Sequence, residues 1–188
     1  MDSIELTLKE ISENFINLSA ECSGNINLAS KVIINSLENG GKIMFCGNGG
    51  SASDSQHLSA ELVGRYRKDR KPLASISLTT DTSAITAISN DLSFSDIYSR
   101  QVEAIGKEDD ILYAISTSGK SENVLNALRM AKHKKIKTIG LTGKNESKIF
   151  DELCDILISV PATRADRIQE MHIAVGQIIC EILEDRLC

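Results

Sequence analysis

The sequence predicts a doubly wound α/β sandwich: a five-stranded parallel sheet with helices on both faces and a helical extension in front. Three observations carry this. Five apolar runs of about five residues alternate with helical patterns. The runs lack the in/out alternation of a half-exposed strand, as expected when both faces are covered. Each run stops at a turn rich in Gly, Ser, Thr or Pro. The chain has 188 residues, 41% of them hydrophobic and 25% charged, which suits one globular domain able to bury its own core.

Ile4, Leu8, Ile11, Phe15 and Leu18 recur at helical spacing, and Ile26, Ala29, Val32, Ile33 and Leu37 continue the stripe. With a break at Gly24 this predicts two amphipathic helices over residues 1–39, the extension, ahead of an α/β core over 40–188. Gly40-Gly41 ends the second helix. The strands are then Lys42–Cys46, Ala74–Leu78, Ile111–Ile115, Thr138–Thr142 and Ile156–Val160. One helix follows the turn after Gly47, another runs from Glu122 to Lys134, and a long one from Thr163 to Leu187 closes the single domain.

Charge and composition exclude several function classes. Twenty-one basic against 26 acidic residues give a net charge of −5, with no basic block longer than His133-Lys134-Lys135, so no footprint for nucleic acid or an anionic membrane is present. The acidic, periodic start is unlike a signal peptide, and no apolar run approaches the ~18 residues of a membrane span; the expectation is a cytoplasmic protein. The five cysteines (Cys22, Cys46, Cys154, Cys180, Cys188) form no C-x-x-C and read as reduced and mostly buried. Imidazole chemistry is confined to His57, His133 and His172.

In such sheets ligands bind beyond the carboxyl ends of the strands. Two loops there are rich in small polar residues. Gly47-Asn48-Gly49-Gly50-Ser51 lets backbone amides approach an oxygen-rich ligand. Ser116-Thr117-Ser118-Gly119-Lys120-Ser121 sets hydroxyls and free amides at a helix start, a composition that suits a phosphate, with simple helix capping and turn formation as the plainer alternative. Gly47-x-Gly49-x-x-Ala52 also matches a loose dinucleotide fingerprint, but Asp81 lies about ten residues too late for the acidic partner. Gly119-Lys120-Ser121 ends like a Walker A loop, yet the required earlier glycine is Ala114.

Asp54, His57, Glu61 and Arg65 fall at i, i+3, i+7 and i+11, within about 60° on one face. On an arbitrary helix this would be a solvated face; here the helix starts in the glycine loop. His57 and Glu61 could share a metal ion or a substrate proton. On the closing helix Asp166, Gln169 and Gln177 point within about 80° of one another, either as a satisfied core network or as a ligand face. His172 points elsewhere and reads as structural. His133, in a Lys-rich helix end, reads as exposed and inert.

Gly-Asn-Gly-Gly-Ser at 47–51, His57-x-x-x-Glu61-x-x-Gly-Arg65-Tyr66, Asn90-Asp91, Ser116-Thr-Ser-Gly-x-Ser121 and Ala165-Asp166-Arg167-Ile168-Gln169-Glu170 closely resemble the phosphoheptose isomerase family of the sugar-isomerase (SIS) domain superfamily. The match runs in order along nearly the whole chain. The resemblance implies the SIS fold and isomerisation of sedoheptulose 7-phosphate to D-glycero-D-manno-heptose 7-phosphate, for bacterial surface heptoses, by a cytoplasmic homotetramer. It implies that Asn48, Gly49, Gly50 and Ser51 line the sugar and that Ser116, Thr117, Ser118 and Ser121 hold the phosphate. Arg65, Asn90, Asp91, Asp166 and Gln169 would complete the substrate site, partly across subunits. Glu61 matches the catalytic carboxylate, and His57, Glu61 and Gln169 match ligands of a zinc ion. Gln177 stands where the family commonly has a histidine, so it would be the fourth ligand but cannot exchange a proton near neutral pH. Sugar-phosphate-sensing SIS modules and the subgroup that pairs with replication initiators share the serine loop, but they can dispense with His57 and Glu61.

Overall fold

The computed structural model describes residues 2–144 and 147–188. In chain order the elements are α1 (Ser3–Glu38), β1 (Ile43–Gly47), α2 (Gly50–Val63), β2 (Ser75–Ser77), α3 (Thr82–Asp91), a 3-10 turn (Phe94–Asp96) and α4 (Ile97–Ile105). They continue as β3 (Ile111–Ile115), α5 (Glu122–His133), β4 (Lys137–Gly143), α6 (Lys148–Leu153), β5 (Ile156–Val160) and α7 (Ala165–Leu187). All strand pairs are parallel, in the order β2-β1-β3-β4-β5. The direction of winding therefore reverses between β1 and β3, and a crevice opens beyond their carboxyl ends. Gly47 pairs with Ile115, the last residues of β1 and β3, so the loops that follow leave the sheet at one level.

The apolar strand runs divide between two core layers. Ile43, Phe45, Ile111, Tyr113 and Ile115 face α1, α2 and α7, where they meet Ile33, Leu58, Met171 and Val175. Met44, Cys46, Leu112 and Ala114 face the other side, against Tyr98 and Val102 of α4 and Val124 and Leu128 of α5. β1 and β3 are buried along their whole length, which is why they read as continuous apolar runs. Each such Leu or Ile stabilises the fold by roughly 1.5–3 kcal/mol through removal from water. The edge strand β2 keeps only three of the five expected residues, a short edge that offers little template for pairing with another chain.

One expectation is corrected. Residues 3–38 form a single helix, not two helices broken at Gly24. Cys22, Ile26, Ala29 and Ile33 lie at i, i+4, i+7 and i+11 and are all buried in the α1/α7 layer. On either side of the glycine, Cys22 Sγ donates to the Ser159 carbonyl at 3.3 Å and Asn25 Nδ2 to the Leu157 carbonyl at 2.8 Å, both on β5. This tertiary packing outweighs the helix-propensity deficit of one glycine, about 1 kcal/mol. From Leu18 onward α1 is thus part of a core layer and not an appendage, while Ile4, Leu8 and Phe15 remain exposed. The helix ends where expected, with Gly40 at φ +82° and the Gly41 N–H donating back to the Ser36 carbonyl.

A methyl group at position 24 meets open space. Gly24→Ala should raise unfolding stability by about 0.5–1 kcal/mol, measured by urea denaturation; a loss of stability would show that the helix is not continuous there.

Candidate active site

The two loops at the β1/β3 crevice are held side by side. Gly49, at φ +55° and ψ −122°, takes a backbone conformation that side chains disfavour, and this turns the chain from β1 directly into α2. Gly119, at φ +64°, does the same for the loop before α5, and its N–H donates to Ser116 Oγ at 3.1 Å. Ser118 Oγ accepts from the Lys120 N–H at 3.2 Å, and Ser116 and Ser121 approach to 3.3 Å. The Gly143 N–H donates to the Thr117 carbonyl and Ser147 Oγ to the Gly119 carbonyl, tying the loop to the end of β4. The serines therefore shape the turn, and Ser118 is also exposed at its tip.

Asn48 and Asn123 cross-link the loops by two reciprocal amide hydrogen bonds of 2.8 Å, and Asn123 Oδ1 also accepts from the Val124 N–H. Asn123 was not legible as a site residue. A single asparagine in the first turn of a helix has no periodic signature, and its partner lies 75 positions away.

Three of the four residues matched to metal ligands come together. His57 Nε2 lies 3.0 Å from Glu61 Oε1 on α2, and Gln177 Nε2 of α7 lies 3.1 Å from His57 Nε2 and 3.5 Å from Glu61 Oε1. Gln169, two helical turns earlier on α7, instead rests its amide on the start of α2: a Cβ at Gly50 would stand 2.7 Å from Gln169 Nε2.

A ring nitrogen offers one proton or one lone pair, so His57 Nε2 cannot make full hydrogen bonds to both neighbours. A cation accepts lone pairs from all three groups. Bonds of about 2.0–2.1 Å to a tetrahedral ion place neighbouring ligand atoms about 3.3 Å apart, close to the three separations observed. A half-turn of the Gln177 amide brings its oxygen to the ion. His57, Glu61 and Gln177 thus fit a metal. Among the described residues no group of three or more His, Cys, Asp and Glu gathers, so a cation here must draw on amide oxygen.

The remaining residues singled out in the sequence lie around this centre. Arg65 is exposed just beyond α2. Asn90 and Asp91, at the end of α3, are exposed, and Asn90 donates to Asp91 at 2.8 Å. Asp166 pairs with Arg164, whose hydrogen bond holds its carboxyl down at about 2. His172 is fully buried; burial lowers its pKa to about 4 against a hydrogen bond to the Thr142 backbone that raises it, so it stays neutral and structural. Arg70 and Glu184 form a buried pair at 2.9 Å, which sequence spacing could not reveal. Arg70 also donates to the carbonyls of Glu61 and Leu62, and this fixes the end of α2 that carries Glu61.

Residues 8–143 match the model of the SIS domain, the class of protein that this sheet order and loop pair define. The chain is 50% identical over 187 residues to the phosphoheptose isomerase of Rhodospirillum rubrum, covering 100% of this chain and 98% of that protein. A solved phosphoheptose isomerase from Francisella tularensis superposes with a TM-score of 0.93 at 36% identity, over 98% of this chain and 100% of that one. The one from Neisseria gonorrhoeae gives 0.90 at 37%, over 97% of each. The chain belongs to the phosphoheptose isomerase family.

Asp54, one turn before His57, has a buried Oδ2 without a hydrogen-bond partner. Burial raises its pKa to about 6, against the lowering influence of His57. Between its ordinary value of 3.8 and about 6 the native state keeps a proton that the unfolded chain releases, so this group's contribution to stability is lost as pH rises through that window. Thermal melts should show Asp54→Asn more stable than the parent at pH 7.5, with the gap narrowing as pH falls towards 4. A gap independent of pH would refute the shift.

Proposed function

We propose that this protein is an aldose-ketose isomerase that converts sedoheptulose 7-phosphate to D-glycero-D-manno-heptose 7-phosphate, a step in bacterial surface heptose biosynthesis. Family membership supports the substrate. The observation that carries the chemistry is the convergence of Glu61, His57 and Gln177 from α2 and α7. Isomerisation removes a proton from C1 and returns one to C2 through an enediolate, which requires a base within reach and charge stabilisation at the oxygens.

Glu61 is the base. It meets His57 and Gln177 through Oε1, and its carboxylate takes the C1 proton. Arg70, held by Glu184, keeps the Glu61 backbone in place. Ser116, Thr117, Ser118 and Ser121 receive the phosphate, and Asn48, Gly49, Gly50 and Ser51 line the sugar chain, so that C1 and C2 are presented to the carboxylate. Gln169 of α7, whose amide rests on the start of α2, completes with Arg65, Asn90, Asp91 and Asp166 the binding of the hydroxyls, partly from a second subunit. His57, Glu61 and Gln177 would hold a zinc-type cation; Gln169, the further ligand the family resemblance implies, rests on Gly50 in this structure. When bound, such an ion supplies positive charge that stabilises the developing oxyanion.

The same reading makes the protein a cytoplasmic homotetramer. No helix among the described residues is long and apolar enough to cross a membrane. Ile4, Leu8 and Phe15 of α1 are exposed, and Phe15, Leu18 and Ile26 border a groove with Ile178 and Ile182 of α7. That apolar stripe is suited to burial against other copies. Light scattering at micromolar concentration should give four copies, and a monomer would refute the assembly.

The reaction is tested by incubating purified protein with sedoheptulose 7-phosphate and following the aldose product. Glu61→Gln keeps size and polarity but removes the base, so kcat should fall by at least about 100-fold; near-wild-type turnover would sink the assignment. Ser118→Ala and Ser121→Ala should each weaken binding of the phosphorylated sugar by about 1.5–3 kcal/mol. An equal loss with the unphosphorylated heptulose would show that the loop is only structural.

A further inference from the structure

The contact between Gln177, His57 and Glu61 determines what kind of cation the site can hold. The trio offers one imidazole nitrogen, one carboxylate oxygen and, once the amide is turned, one neutral carbonyl oxygen. Gln169, two turns earlier on α7, rests its amide on Gly50 and stays outside the trio. Thiolate and imidazole donors favour zinc, whereas carboxylate and carbonyl oxygens suit harder ions such as magnesium and manganese. The amide is also a weaker donor than a second imidazole, and the site's formal charge is only that of Glu61.

The position of Gln177 is set by packing. Its neighbour Gly176 lies against Leu58, and a Cβ there would be 2.4 Å from Leu58 Cδ2. This close approach of α7 to α2 brings the amide end of Gln177 to within 3.5 Å of both His57 and Glu61. A residue of different chemistry at 177 would therefore be delivered to the same place.

We propose that Gln177 makes this an oxygen-dominated cation site that holds zinc loosely and exchangeably and narrows the margin by which zinc outcompetes a harder divalent ion such as manganese. The proposal rests on the trio being a cation site and not on the identity of the sugar, so it can fail while the isomerase reading stands, and the reverse.

The test measures binding. The full chain and its Gln177→His variant, each verified as folded by circular dichroism and thermal melting, are dialysed to equilibrium against graded zinc and, separately, manganese. Bound metal is counted by mass spectrometry. The parent is expected to bind zinc at least about tenfold more weakly than Gln177→His, and its ratio of manganese to zinc dissociation constants should be smaller by a similar factor. Gln177→Glu is the second arm: it keeps an oxygen donor and adds charge, so it should tighten manganese as well as zinc. His57→Ala should abolish site binding of both ions. Equal zinc affinity in parent and Gln177→His would overturn the proposal, as would an unchanged metal ratio across the three side chains at 177, or manganese and zinc retention that survives His57→Ala.

Discussion

The close contact between α2 and α7 is the constraint on which the candidate site depends. Two glycines make it possible, one on each helix. Gly176 admits Leu58, and Gly50 admits the Gln169 amide; a Cβ at either position would meet its neighbour at under 3 Å. Because Gly50 precedes Leu58 and Gln169 precedes Gly176, the two contacts align the helices in the same direction. That alignment lets residues 120 positions apart in sequence, His57 and Gln177, meet at 3.1 Å. Overpacking such a contact typically costs about 1–3 kcal/mol, and here it would also displace the polar trio.

Around this contact the fold supplies rigid supports. The β1/β3 switch places the glycine and serine loops next to each other, and the Asn48–Asn123 amide pair locks them together. At the other end of α2, the Arg70–Glu184 pair joins the helix to α7. Glu184 also accepts from the backbone N–H groups of Arg67 and Lys68, so the loop after α2 is drawn onto the closing helix. Both charges of the pair are buried, with side-chain exposures of 3% and 2%, and they are satisfied by each other and by backbone groups, as burial of a charge requires. Glu61 therefore projects from a helix fixed at both ends, which restricts where its carboxylate can reach.

Asp54 and His172 show how burial shifts titratable groups on the two helices in opposite directions. Asp54 sits on the polar face of α2, where partial burial raises its carboxyl into the range of mild acidity. His172 sits on the opposite side of α7 from the trio, enclosed by the core, and is held neutral. His57, by contrast with His172, has a half-exposed side chain.

Local pattern determined much of this protein. Strands β3 and β5 fall at the residues expected from their apolar runs, and the helix from Glu122 and the closing helix lie within two residues of expectation, because burial on one or two faces imprints a short-range period. The polar face His57/Glu61 was legible from helical spacing, and the glycine and serine loops from their composition at strand ends. The continuity of α1 through Gly24 was not, since hydrogen bonds and packing from β5 and α7 outweigh the local preference of one residue. Nor were Asn123, Arg70 and Glu184, whose partners lie 75, 114 and 117 positions away. Helical spacing placed Gln169 and Gln177 on one face of α7, but not what each would touch. Tertiary structure decided that Gln177 meets His57 and Glu61 while Gln169 rests on Gly50, because only the packed interface of two helices determines which side chains share a point in space.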